Sequence, residues 1–215
     1  MRFWQKALCL GLILGATACG PLYEEGLGNK LFEAAQTATG TGAVPAPPTL
    51  APEVANAAPG DVLLVKILSR NAVAPMTKLT QSGANITWQS PGGVTMAFED
   101  GILVGTRGLG DDLMGVDAFD TRAALNAGGG TVMRRQSYIT SEDQIVTRDL
   151  TCEITNAGGE TLQTIAGPRE AVKFEEDCKG PALIFKNSYW LSGGEMIRSR
   201  QVVSAGVGFI EVDQL

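Results

Sequence analysis

The chain has 215 residues, with 17 Lys and Arg against 23 Asp and Glu, a formal net charge of −6, and no histidine. The acidic balance argues against nucleic acid as a partner and against a broad basic face for an acidic polymer, while leaving room for a local basic groove. Without histidine there is no Ser-His-Asp or Cys-His catalysis and the commonest metal ligand is missing, so the sequence calls for no metal and no cofactor.

The chain opens on "MRFWQKALCLGLILGATACG". Arg2 and Lys6 precede an apolar run over residues 7–14, and small residues lead up to Cys19. That order is a signal peptide, and its apolar run falls short of the roughly 20 residues needed to span a bilayer. A cysteine directly after Ala16-Thr17-Ala18 makes it a bacterial lipoprotein signal. The reading is cleavage after residue 18, a thioether-linked diacylglyceride on Cys19 and an acylated new N-terminus. Ala16 stands where leucine is usual, and the alternative is an ordinary secretory signal with an incidental Cys19. Gly20 is not the aspartate that retains such proteins in the inner membrane, which points to the outer membrane, facing the periplasm. One acyl chain binds a membrane marginally and each buried CH₂ adds about 0.8 kcal/mol, so three chains make a lasting anchor. Losing Arg2 and Lys6 with the leader takes the 17 basic residues to 15 against 23 acidic, a net charge of −8.

Cys9 leaves with the signal and Cys19 carries lipid, so Cys152 and Cys178 remain as a pair in an oxidising compartment. A disulfide between them closes a loop of roughly 26 residues and stabilises by about 3–4 kcal/mol; two free thiols are the alternative.

Residues 19–60 are rich in Ala, Pro, Thr and Gly with little to bury, apart from "NKLFEAAQTA", which has the makings of a short helix. They read as a flexible tether, partly polyproline II, between the lipid and a folded domain over residues 61–215. That domain begins with "DVLLVKIL", a buried strand, followed by the β-rich "ANITWQS" around Trp88. "GGVTMAFEDGILVGTRG" reads as a hairpin: Val94, Met96 and Phe98 alternate with Thr95 and Ala97, and Glu99-Asp100-Gly101 makes the turn, Asp-Gly being a strong turn signal. "GDDLMGVDAFDTRAALNAGGG" interrupts the strands, with a helix over residues 117–125 ended by glycines. Strands follow in "GTVMRRQSYITS" and "QIVTRDLTCEIT", then a turn at residues 156–159. "ETLQTIAG", "REAVKFEEDC", "PALIFKNSYWL", "EMIRSRQVVS" and "GFIEVDQL" complete the set. The fold class is all-β: an antiparallel meander forming a barrel, half-barrel or sandwich, with one short helix.

"GTRGLGDDL", residues 105–113, has glycine spacings that suggest a phosphate loop. A P-loop needs Lys-Ser/Thr after its glycines, and Asp111 and Asp112 stand there instead, where they would repel a phosphate. As a glycosidase pair the two aspartates are badly placed, because opposed carboxyls must sit about 5–9 Å apart across a sugar and strand neighbours point to opposite faces. The plain reading is a glycine-rich strand exit, with Asp111 capping a short helical turn.

"ITWQSPGGVTMAFEDGILVGTRGLGDDL" resembles the YjbF-like family of group 4 capsule lipoproteins in its tryptophan, turn, strand and glycine-led strand ending in Gly-Leu. "FKNSYWLSGGEMIRSRQVVSAGVGFIEVDQL" agrees at the other end, with Phe, Asn and Tyr, a turn, and Ser-Arg-Gln. The resemblance implies a lipoprotein of exopolysaccharide or capsule export, with other export proteins or the polymer as partners, and it carries over no catalytic residue. The expectation is therefore a non-enzymatic outer-membrane lipoprotein. A lipid- or glycan-binding module is the alternative, and a polysaccharide-modifying hydrolase the third. Candidate contacts for a partner or ligand are Arg107, Trp88, Tyr189, Arg198 and Arg200, each also readable as a fold residue: aromatics in strands are more often core, and adjacent strand arginines such as Arg134 and Arg135 point to opposite faces, which breaks up a basic patch.

Overall fold

The structure, a computed structural model, describes residues 60–139, 144–164 and 167–214. Cys19, the signal peptide and nearly all of the tether lie outside these residues. Twelve antiparallel strands form one sheet: β1 (Val62–Ile67), β2 (Ala72–Ser82), β3 (Asn85–Gln89), β4 (Thr95–Glu99), β5 (Ile102–Arg107), β6 (Leu113–Asp117), β7 (Gly130–Ile139), β8 (Ile145–Thr164), β9 (Gly167–Lys179), β10 (Ile184–Ser192), β11 (Glu195–Ser204) and β12 (Gly208–Gln214). The helix α1 (Phe119–Ala127) lies between β6 and β7 and ends on Gly128 at φ +89°. The sheet order is β5-β4-β3-β2-β1-β12-β11-β10-β9-β8-β7-β6, so sequence neighbours pair, and β1 meets β12. The expected all-β meander with one short helix is thus a nearly closed barrel.

The edge strands β5 and β6 come together without a backbone ladder. At their seam Thr106 Oγ1 donates to Asp112 Oδ1 (2.8 Å) and accepts from the Leu113 amide (3.0 Å), while Arg107 donates to the Leu113 carbonyl (3.1 Å). Further along β5 the Gln201 side chain of β11 acts as a substitute strand neighbour. It accepts from Leu103 N (2.8 Å) and donates to Gly101 O (2.9 Å), so a buried amide of the edge strand and the carbonyl of the turn before it are satisfied from across the interior.

Leu63, Val65, Met76, Trp88, Met96 and Phe98 belong to one apolar cluster that continues through Leu103, Leu113, Ile210 and Val212. It lies under β12 and β1 to β6. Under β7 to β11 the buried residues are mixed: Leu150, Ile154, Phe174 and Phe185 share the interior with Arg134, Gln136, Glu176 and Asn187. The Cys152–Cys178 disulfide joins directly opposed residues of β8 and β9 here, both fully buried.

Of the turn expected over Glu99, Asp100 and Gly101, Glu99 ends β4, and Asp100 and Gly101 alone make a two-residue turn with φ of +48° and +85°, the pattern of a type I′ hairpin. Only glycine fits the second position, because a Cβ there would stand 2.8 Å from Met196 Sδ.

Four expectations are corrected. Residues 156–159 do not turn the chain: β8 runs on through them for 20 residues, and a bulge between Asn156 and Gly158 absorbs the Asn-Gly signal, with Asn156 Oδ1 accepting from Gly158 N (2.8 Å). β2 was not anticipated, since Met76 is its one fully buried residue and Pro75 sits within it. β6 occupies part of the stretch read as an interruption, and the helix starts and ends two residues later than expected. Asp111 caps no helical turn.

Asp112 accepts from Thr106 Oγ1, Gly108 N and Leu109 N, so Asp112→Ala leaves three donors at the seam without their acceptor. The expected loss is about 1–3 kcal/mol of unfolding free energy by urea titration, with Asp112→Asn losing less. A change within about 0.5 kcal/mol for the alanine variant contradicts this account of the seam.

Candidate functional site

At one end of the barrel, turns are sewn together over its mouth. Asp111 Oδ2 accepts from Gly206 N (2.8 Å), and Ser204 Oγ donates to the Asp111 carbonyl (2.6 Å). Arg70 donates to Leu109 O (2.7 Å) and Ser69 to Val207 O (2.6 Å). Leu109 and Val207 are buried beneath. The glycine-rich stretch therefore closes this end: Asp112 holds its own turn and Asp111 ties that turn to the β11–β12 connection. Both carboxylates are committed to backbone amides, and the two do not face each other across a cleft.

A buried hub lies in the mixed half of the interior. Glu176 on β9 has no exposed side-chain surface, and neither does Arg134 on β7. Arg134 Nη1 donates to both carboxylate oxygens at 3.3 Å. Tyr189 OH (2.6 Å) and Asn187 Nδ2 (2.7 Å) donate from β10, and Thr121 Oγ1 (3.1 Å) donates from α1. Asn187 also accepts from Val202 N at the β11 bulge (2.9 Å), and Gln136 accepts from Tyr138 OH (2.7 Å). Burial, the largest influence, disfavours the Arg134 charge, but Glu176 together with Tyr189 and Tyr138 outweighs it and holds the guanidinium above its ordinary value. Burial and the same carboxylate push Tyr189 well up. Burial, aided by Asp111, pushes Tyr138 up to about 12, against the opposing pull of Arg134. The sulfurs of Cys152 and Cys178 lie with the Glu176 carboxylate within 4.8 Å of one another, a spacing suited to a metal. Joined to each other, the sulfurs offer no thiolate, so the group does not fit one.

The opposite end, beside α1, is open. A cavity of about 290 Å³ has Leu63, Ile86, Trp88, Phe98, Met196 and Val212 among its floor residues. Gln81, Asp100, Glu195 and Gln214 stand with Arg122 and Arg198 around it. Arg122, next to Thr121 on α1, donates to Gly194 O (2.7 Å) and Asp100 O (3.4 Å), which fixes two rim turns against the helix. A second depression of about 210 Å³ shares Asp100 and Arg122 with it.

Of the residues singled out in the sequence, Trp88 and Arg198 meet at this cavity. Trp88 is buried in its floor with the Lys78 ammonium 5.7 Å from the ring centroid. Arg198 is paired with Asp213 and also donates to Gln163 O. Arg200 stacks on Phe209 at 4.8 Å opposite Glu211 in register, Arg107 is spent on the seam, and Tyr189 sits in the hub out of contact with solvent. The outer face around these arginines carries neighbouring acids: Lys186 pairs with Glu175 and Asp177, and Arg198 with Asp213. Arg134 and Arg135 do point apart, the first buried and the second exposed with Asp149.

Sequence reasoning missed the hub and the rim. The hub carried a signal: Glu176 shares its strand face with Phe174 and Cys178, and Arg134 with Val132 and Gln136, which places both inward. The rim carried none, because Gln81, Asp100 and Glu195 come from separate turns.

A family model described as the group 4 capsule polysaccharide lipoprotein GfcB, YjbF matches residues 29–215, which includes both stretches on which the resemblance rests. Among solved structures, the hypothetical lipoprotein YmcC from Escherichia coli K12 is 20% identical, with a TM-score of 0.65 over 74% of this chain and 88% of its own. An exported protein of Bacteroides fragilis with a YmcC-like fold is 13% identical, covering 72% of this chain and 93% of its own, with a TM-score of 0.29. No curated protein matches the chain.

A phenol whose pKa rises on folding favours the folded state while it stays protonated. Tyr138 therefore contributes stability that is whole below pH 10 and is lost as the pH climbs through about 12, and Tyr189, held well above 10, acts in the same direction. The urea midpoint should fall across that window, and fall less steeply in Tyr138→Phe. Equal pH dependence in the two proteins contradicts the assignment to Tyr138.

Proposed function

Because the chain belongs to the family of group 4 capsule polysaccharide lipoproteins that includes GfcB and YjbF, we propose that it is an outer-membrane lipoprotein, anchored through Cys19 and facing the periplasm, that assists exopolysaccharide or capsule assembly or export by contact and without catalysis. The family match over residues 29–215 carries this reading. The lipoprotein signal supports the anchor, and residues 19–60 act as its tether. The commitment of Asp111 and Asp112 to backbone amides supports a role without catalysis and speaks against the hydrolase reading. Partners are other export proteins or the polymer itself. Among the described residues no helix is long and apolar enough to cross a membrane. The open cavity beside α1 favours a second reading, in which the contact is the binding of a small glycan or lipid.

The test is surface polysaccharide per cell in a deletion strain complemented with the wild-type chain or with Cys19→Ser at matched protein levels. Export should drop in the deletion, return with the wild type and stay low with Cys19→Ser, which should appear in the soluble periplasmic fraction or as uncleaved precursor. Normal polysaccharide in the deletion strain overturns the reading.

A further inference from the structure

We propose that the open cavity beside α1 is a binding site for uncharged sugar residues, taking one or two rings at a time. Its volume of about 290 Å³ stands at the lower end of the roughly 300–1,000 Å³ of small-molecule sites, enough for a chain end or a short branch and too small for a length of polymer. The floor is apolar and partly aromatic, with Trp88 and Phe98 among its lining residues, as suits the C–H groups of a pyranose. The rim is polar in a particular way. Gln81 and Gln214 bring amides that both donate and accept, and Asp100 and Glu195 bring carboxylates that accept from hydroxyls. Neither carboxylate enters an ion pair among the described residues.

Of the two rim cations, one is neutralised by an acid and the other is held by backbone carbonyls. Arg122 donates to the carbonyls of Gly194 and Asp100, and Arg198 is paired with Asp213. Among the described residues the rim sets two acids outside any ion pair, Asp100 and Glu195, against one such cation, Arg122, so a ligand carrying a carboxylate or phosphate meets a net negative charge and is disfavoured. An acyl chain would satisfy the floor but make no use of the polar side chains of the rim. The rim is also held firmly: Arg122 clamps two turns, and Asp100 keeps a left-handed backbone at φ +48° that a non-glycine residue seldom adopts. A preformed rim lowers the ordering cost of binding a flexible polyol.

The proposal deepens the export reading by naming the chemistry the protein would hold, and its test separates the two. The mature lipoprotein, ¹⁵N-labelled in a detergent without a sugar headgroup, is titrated with glucose, galactose, N-acetylglucosamine and their β-linked disaccharides. Glucuronate and decanoate are run alongside. Trp88 and Trp190 give the two indole N–H signals of the mature chain, and Trp190→Phe assigns them. At least one neutral sugar should shift the Trp88 signal saturably, with glucuronate at least about fivefold weaker. Glu195→Ala and Gln81→Ala, both at exposed positions, should each weaken binding about fivefold without altering the rest of the spectrum. The proposal is overturned if no neutral sugar moves the Trp88 signal, if both variants bind as the wild type does, or if decanoate binds more tightly than every sugar, which makes the cavity a lipid site. Sugar binding with normal polysaccharide in the deletion strain removes the export reading and leaves the pocket; the reverse pair of results removes the pocket alone.

Discussion

A carboxylate taken wholly out of water must be met by protein donors, and Glu176 is met from three directions. Arg134 reaches it from β7, Tyr189 and Asn187 from β10, and Thr121 from α1. An isolated buried charge costs several kcal/mol, so each of these donors is held where it is by the penalty of leaving. The consequence is positional. The helix α1 is fastened to the sheet at Thr121, and the next residue, Arg122, fixes the turns at Asp100 and Gly194 that border the open cavity. The disulfide lies in contact range of the same carboxylate, so covalent and electrostatic constraints act on one spot of β8 and β9. Rim geometry at the surface is in this way set from the interior.

The barrel's two ends differ for a physical reason. β5 and β6 have no backbone ladder to close them, and the seam is completed by side chains that imitate one: Thr106, Asp112 and Gln201 supply the donors and acceptors a neighbouring strand would have given. The turns at the end nearest Asp111 are sewn across one another through Ser69, Arg70, Ser204 and Asp111 itself. The other end has α1 beside it and a cavity left open. Polar residues that look like chemistry in the sequence are thus largely structural at the closed end. The uncommitted ones are at the open end.

The strands were legible where inward and outward residues alternate, as in Val94 to Phe98 or around Cys152, and the Asp100-Gly101 turn was legible because its backbone demands those residues. They were illegible where that alternation fails. β2 buries Met76 alone, and residues 156–159 show the composition of a turn while performing a bulge, a distinction made only by the partner strand β9. Of the site, Cys152 and Cys178 were read as a pair from compartment and count, and the structure joins them. Trp88 and Arg198 were named singly, and what unites them is a mouth assembled from hairpin turns far apart in the chain. Arg200 and Arg107 were read as candidate contacts because arginine is a common ligand-binding residue. Their engagement with Phe209 and with the seam is a matter of cross-strand register, which a single sequence does not print.

The central claim is that the Arg134–Glu176 hub organises the domain as a charge-balanced unit, and a double-mutant cycle measures it. Glu176→Gln and Arg134→Met are compared with the double variant by urea unfolding at neutral pH. Each single change leaves the other charge buried and uncompensated, so each should cost about 3–5 kcal/mol, while the double variant, with neither charge, should cost well under the sum. Single losses that add to within about 0.5 kcal/mol contradict the claim, because the two residues would then contribute to the fold independently.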